Sequence, residues 1–175
     1  MYKKILFCFT LFLFLLTGCT DKFPIKFFSP PEISTEFNSK AEITYGELTV
    51  NCDVSNMKQG ITSVSVNKPE NLSGLAYKWV NSNLTVSYKE LSIQTEDGFL
   101  PQKNFAQIFY NILKLINIGS DSVFTFVLHD GQVSEFTGKT PYGICDLTVL
   151  NSTGEITKIE IKDISFSADF ELDPF

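Results

Sequence analysis

From residue 37 onward the chain alternates between apolar and polar positions. Leu48, Val50, Cys52 and Val54 are interleaved with Glu47, Thr49, Asn51 and Asp53, the period of two expected of an antiparallel strand with one buried and one wet face. Upstream, Phe37, Ala41, Ile43 and Tyr45 keep that period in the opposite phase, and Gly46 stands where the phase flips. A bulge or sharp bend at Gly46 reconciles the two runs. Further strands are predicted over 61–66, 75–80, 84–88 and 91–95, and, after a gap, over 123–129, 133–137, 144–150, 155–161 and 164–172. Leu75, Tyr77 and Trp79 face the same side as Leu84, Val86 and Tyr88 if Asn81-Ser82-Asn83 makes a tight hairpin. Asp130-Gly131 and Ser152-Thr153-Gly154 supply turn chemistry where a meander needs it. The last run, Ile164, Phe166, Ala168, Phe170 and Leu172, is the cleanest alternation in the chain.

One segment breaks the period. Phe105, Ile108, Phe109, Ile112, Leu113 and Ile116 recur at three and four, Asn104 stands at the capping position, and Gly119 lies just past the end. This is the pattern of an amphipathic helix entered through Leu100-Pro101. Five or six strands, one helix and five more strands read as a single α+β domain. Its expected form is a large curved antiparallel β-sheet, an unclosed half-barrel, with one main helix against its concave apolar face.

The amino terminus obeys another logic. Met1-Tyr2-Lys3-Lys4 is positive, residues 5–16 are apolar except for Thr10, and the small pair Thr17-Gly18 follows, which is the make-up of a secretory signal peptide. As a helix the apolar run reaches about 18 Å, short of the roughly 30 Å hydrocarbon core. Leu16-Thr17-Gly18-Cys19 resembles the bacterial lipobox, so residues 1–18 are expected to be cleaved and Cys19 to carry acyl chains of the palmitate class. Two or three such chains hold a protein on a membrane. Pro24, Pro30 and Pro31 deny residues 19–36 a regular element. That segment is expected to tether a domain spanning 37–175.

Composition narrows the function. The 175 residues hold 14 Lys and no Arg against 20 acids, and the chain after Cys19 keeps 12 Lys, a net charge of −8. Nucleic acid and anionic headgroups are poor partners for that sign, and the forked donors that clamp phosphates are missing. A Lys-only, Asn-, Ile- and Phe-rich chain fits an AT-rich, low-GC genome. The expected location is the cell envelope: the outer face of the membrane in a single-membrane bacterium, the outer membrane otherwise, since Thr20 stands where an inner-membrane retention signal places Asp.

The order Pro69-Glu70-Asn71-Leu72-Ser73-Gly74-Leu75 into a strand with Trp79, then Leu84-Thr85-Val86-Ser87-Tyr88, Leu100-Pro101 with a helix, and Phe136-Thr137-Gly138 resembles small lipoproteins of low-GC bacteria. These are similar in architecture to the lipoprotein carrier LolA and the mycobacterial LppX-type lipoproteins. The resemblance covers roughly residues 37–172 and implies an unclosed β-barrel around an apolar cavity, with hydrophobic ligand or partner binding more than any reaction. One departure is plain: the carrier is soluble and uses more than one helix, whereas this chain keeps an anchor and a single clear helix.

Two function classes follow, a binder of apolar ligands as the leading reading and a docking module as the alternative. In the first, Tyr77, Trp79, Phe105, Phe109, Phe124, Phe126 and Phe136 line a cavity for a lipid, acyl chain or hydrophobic peptide; in the second they are ordinary core, and the domain docks onto a cell-envelope enzyme or assembly. Cys8 leaves with the signal, so Cys52 and Cys145 remain as a candidate disulfide or as two buried thiols. The single His129 lies beside the Asp130-Gly131 turn with no triad pattern around it, and nothing has the spacing of a zinc or calcium site. No catalysis, metal or cofactor is expected. The triplets at Asn71, Asn83 and Asn151 are what chance yields in an Asn-rich chain.

Overall fold

The computed structural model describes residues 29–57, 59–81 and 83–171, apart from the side chains of 120–122. Eleven strands and one long helix succeed one another: β1 (Phe37–Tyr45), β2 (Leu48–Met57), β3 (Ile61–Lys68), β4 (Leu75–Val80), β5 (Asn83–Tyr88), β6 (Leu91–Glu96), α1 (Phe105–Val123), β7 (Phe124–His129), β8 (Val133–Thr140), β9 (Gly143–Leu150), β10 (Ile156–Ile161) and β11 (Phe166–Phe170). All eleven strands join one antiparallel sheet in the order β6-β5-β4-β3-β2-β1-β11-β10-β9-β8-β7. Two meanders therefore meet at a central seam between β1 and β11, where Ala41 pairs with Phe170 and Tyr45 with Phe166.

That order fixes the path of the helix. β6 and β7 are the two outer edges and do not pair with each other, so the connection between them must cross from one side of the sheet to the other. Eleven strands laid flat span about 48 Å at ~4.8 Å per strand. The 19 residues of α1 cover only about 28 Å. Curling brings the edges within reach and leaves the helix lying on the concave face, an open half-barrel of the kind the alternation predicts.

Local chemistry explains the ends of the elements. The Asn104 carboxamide oxygen accepts from the N–H groups of Ala106 (2.9 Å) and Gln107 (3.3 Å), capping α1. At Gly119 the backbone turns to φ 146°, ψ 97°, breaking the helix at the residue that the sequence marks as its end, and a last turn runs into β7. The phase flip at Gly46 is a two-residue hairpin turn between β1 and β2, with φ +59° at the glycine.

Two of the boundaries that differ from the sequence pattern have a visible cause. The unbroken strand expected over 164–172 begins only at Phe166, because residues 162–164 form a 3-10 turn that closes on Ser165 in a left-handed conformation (φ 50°). The Ser165 N–H donates to the Lys162 carbonyl at 3.1 Å, the geometry needed to return the chain beside β10; Leu172 lies outside the described residues. Residues 33–34, expected to belong to the tether, pack with the sheet. Ile33 is buried in the core, and the Ser34 N–H donates to the Gly154 carbonyl at 2.7 Å.

The core lies between the concave face and α1. Ile43, Val50, Val54, Val64, Leu147, Ile159 and Ala168 from the strands meet Phe105, Ile108, Phe109, Ile112, Leu113 and Ile116 from the helix. No helix among the described residues is long and apolar enough to cross a membrane.

Candidate docking surface

The seven aromatic residues with which the cavity reading begins fall into separate packed groups. Trp79 of β4 is fully buried and stacks on Tyr110 of α1, with ring centroids 4.5 Å apart and 4° between planes. Tyr77 stacks on Trp79 at 6.0 Å and meets Phe105 edge to face at 5.9 Å. Burial pushes the Tyr77 hydroxyl up, and its hydrogen bond to Asn104 pulls the other way. The Tyr110 hydroxyl, also pushed up by burial, donates to the Asn81 carbonyl at 3.2 Å. Phe126 and Phe136 contact each other at 5.9 Å on the other meander, beside buried Phe124. Phe109 turns to the central seam, where Phe170 lies 6.0 Å away and in turn touches Phe37 at 5.4 Å. Six of the seven are buried and Phe126 is half-buried against the core.

None of them lines a described cleft. The largest, about 640 Å³, opens beside the start of α1 between Tyr45, Lys103, Asn111 and Tyr142. Another, about 430 Å³, lies over β1, β2 and β11 among Lys40, Glu42, Asn51 and Asp169. Both are open and mixed in polarity. Where α1 faces β4, rings from both elements meet and pack against one another. Within that packing the Trp79 indole Nε1 and the Gln107 Oε1 are buried without a hydrogen-bond partner, each at a cost of about 1–3 kcal/mol.

The candidate disulfide is not formed. Cys52 and Cys145 are both free and buried, and β1, β11 and β10 separate β2 from β9. Four strand spacings amount to about 19 Å along the sheet, whereas bridged Cα atoms lie within roughly 7 Å. Burial, aided by the neighbouring carboxylates of Asp53 and Asp146, pushes both thiols up to about 12, which leaves them protonated and unreactive at neutral pH.

His129 forms no nucleophile–base pair with the nearby serine. The Asn151 carboxamide nitrogen donates to its Nδ1 at 3.0 Å, while the fully buried Ser134 hydroxyl donates to the Asn151 oxygen at 2.6 Å. Asparagine therefore stands between serine and histidine and pins the turn ends of β7, β8 and β9. Among the described residues no group of three His, Cys, Asp or Glu side chains converges as metal ligands. Cys19 lies outside the described residues.

The surface feature that stands apart is the β6 end of the sheet. The backbone of α1 comes close to β1, β7 and β8, and the rings of Phe105 and Tyr110 meet Tyr77 and Trp79 of β4. Cross-strand partners share a face, and the register runs Trp79–Leu84–Thr95, Tyr77–Val86–Ile93 and Leu75–Tyr88–Leu91. Leu91 and Ile93 thus continue the concave apolar face past the helix, and they are 74% and 61% exposed. Phe99, in the connection to α1, is 65% exposed. β6 pairs with β5 without interruption over all six residues and contains neither Pro nor Lys. Sequence reasoning marks Leu91 and Ile93 as strand residues but not as uncovered ones; the clue available to it is that a strand leading directly into a helix has no later hairpin partner.

No protein-family model and no curated protein matches this chain. Solved structures align over most of its length. An uncharacterized conserved protein from Thermus thermophilus is 11% identical with a TM-score of 0.48, covering 78% of this chain and 74% of its own. A chain in the complex of the CwlD amidase from Clostridioides difficile with the GerS lipoprotein is 14% identical with a TM-score of 0.49, covering 80% and 85%. A LolA superfamily protein from Nitrosomonas europaea is 14% identical with a TM-score of 0.34, covering 81% and 86%. Likeness at this level concerns the course of the chain alone, and the functional reading rests on the residues of this protein.

Proposed function

We propose that this chain is a lipid-anchored, non-catalytic interaction module of the bacterial cell envelope that docks onto another protein with a filled interior. The observation that carries the reading is the Trp79–Tyr110 stack with Tyr77 and Phe105 around it: the space between helix and sheet, which a carrier needs for its cargo, is occupied by side chains. Supporting it are two unreactive thiols and a histidine held by an asparagine, which leave little material for covalent or acid–base chemistry. Acylation at Cys19 supplies the membrane attachment, and the net charge of −8 after the signal suits an anchor that works by acyl burial without a basic patch.

Native mass spectrometry of the full-length chain, released from detergent in the gas phase, tests both parts. The expected mass is that of the polypeptide beginning at Cys19 plus its acyl groups, with no further adduct after incubation with envelope lipids. A Cys19→Ala variant loses the acyl mass and leaves the membrane fraction. A stoichiometric lipid adduct that disappears in Trp79→Lys would refute the filled interior and restore the carrier reading.

A further inference from the structure

The docking reading does not say which surface docks or what it takes. We infer that the β6 edge is the docking site, and that its occupant is an extended segment of a partner protein, added antiparallel beside β6, with apolar residues at alternate positions and a cationic residue at each end. The inference rests on the docking reading and specifies its surface and partner chemistry.

An edge strand presents unpaired N–H and C=O groups that template another strand unless it is blunted by a bulge, a proline or an inward charge. β6 has none of these over Leu91–Glu96. Its concave-facing Leu91 and Ile93 are the most exposed apolar residues of any strand together with Ile144, and an added strand would place alternate side chains directly against them.

Charge decides the occupant. Two acids bracket the apolar positions: Glu96, at the end of β6, lies on the face opposite Leu91 and Ile93, and Glu90 stands in the two-residue turn that opens the strand. If a second copy paired through the same edge, faces would match when Ile93 lies opposite its own counterpart. That register sets Glu90 against Glu96 at both ends, and like charges directly opposite destabilise a pair. Two neighbouring registers also match faces: the one centred on Gln94 sets Leu91 against Asp97, and the one centred on Ser92, although it sets Leu91 against Ile93, overlaps only residues 91–93 of each strand because the chain turns away at Lys89 and Glu90. A foreign strand with Lys or Arg opposite Glu90 and Glu96, and apolar residues opposite Leu91, Ile93 and Thr95, removes both conflicts.

The test uses the full-length chain in detergent and the capped, fluorescein-labelled peptide Lys-Leu-Thr-Val-Thr-Val-Lys, followed by anisotropy at low salt. Saturable binding is expected, at least about tenfold tighter than for the Glu-ended analogue. Leu91→Lys with Ile93→Lys abolishes it. Glu90→Lys with Glu96→Lys, which leaves the apolar positions intact, reverses the preference between the two peptides. Absence of saturable binding, equal affinity for both peptides, or binding untouched by the Leu91 and Ile93 changes overturns the inference. So does sedimentation of the chain as a dimer that those changes dissolve, since the occupant is then a second copy. None of these outcomes bears on the filled interior, which a lipid adduct would refute.

Discussion

β6 and β7 are the two ends of one sheet, tied together by the same helix, yet they are finished differently. At β7 the register slips between Phe126 and Leu128, so Val127 is an extra residue that breaks the ladder just where the edge is exposed. Its concave side is occupied by buried Phe124 and half-buried Phe126. Val127 and Leu128 remain exposed, but on an interrupted edge. At β6 the ladder is regular and the concave side is bare. The helix accounts for the asymmetry: it runs directly into β7, whereas eight residues separate it from β6. One connection covers the end to which it is joined closely and leaves the other open.

Substitutions separate the filled region from the bare one by size of effect. Trp79→Ala removes a fully buried ring stacked between Tyr77 and Tyr110 and is expected to cost about 3–5 kcal/mol, read as a lower urea midpoint of unfolding. A loss under about 1 kcal/mol would mean that Trp79 borders space and not side chains. Gly138→Ala probes the closed β7 end: its Cβ would lie 2.6 Å from the Phe124 ring and 2.7 Å from the Val123 carbonyl. Overpacking of that kind costs about 1–3 kcal/mol, and β7 should become more labile to proteolysis while β6 does not.

The thiols give a pH test of the same interior. Both are raised from 9.0 to about 12 in the folded state, so between those values the unfolded chain sheds protons that the folded chain keeps. Stability is therefore unaffected below pH 9 by these groups and falls as pH rises above it. Thermal unfolding followed across this range should show the decline, and Cys52→Ala with Cys145→Ala should flatten it. Unfolding at neutral pH should be indifferent to a reducing agent, because no bond joins the two sulfurs. The smallest effect belongs to β6. Leu91→Lys with Ile93→Lys is expected to shift stability by no more than about 0.5 kcal/mol for each change, and a larger loss would mean that the edge is covered within this molecule.

Much of the fold is legible in the chain because its cause is local. Alternation at Leu48–Val54 and the spacing of Phe105–Ile116 report which face is buried, and Asn104 and Gly119 mark the limits of the helix through cap chemistry and a left-handed backbone. The pairing of β1 with β11 is a contact between distant segments that no period encodes, and so is the distance between Cys52 and Cys145, whose in-phase placement suggests a bridge that the strand order forbids. Whether Trp79 and Phe109 line a void or fill it depends on how closely the helix approaches each strand. An aromatic at strand spacing looks the same in both cases. The start of Phe166–Phe170 was hidden for another reason: Ser165 continues the alternation while its backbone leaves the extended region.

The difference between the edges is tested most directly by hydrogen–deuterium exchange on the full-length chain, with and without the Lys-ended peptide. The account predicts slowed exchange over residues 91–96 with residues 124–129 unchanged. Protection at 124–129, or at neither edge under saturating peptide, would contradict it.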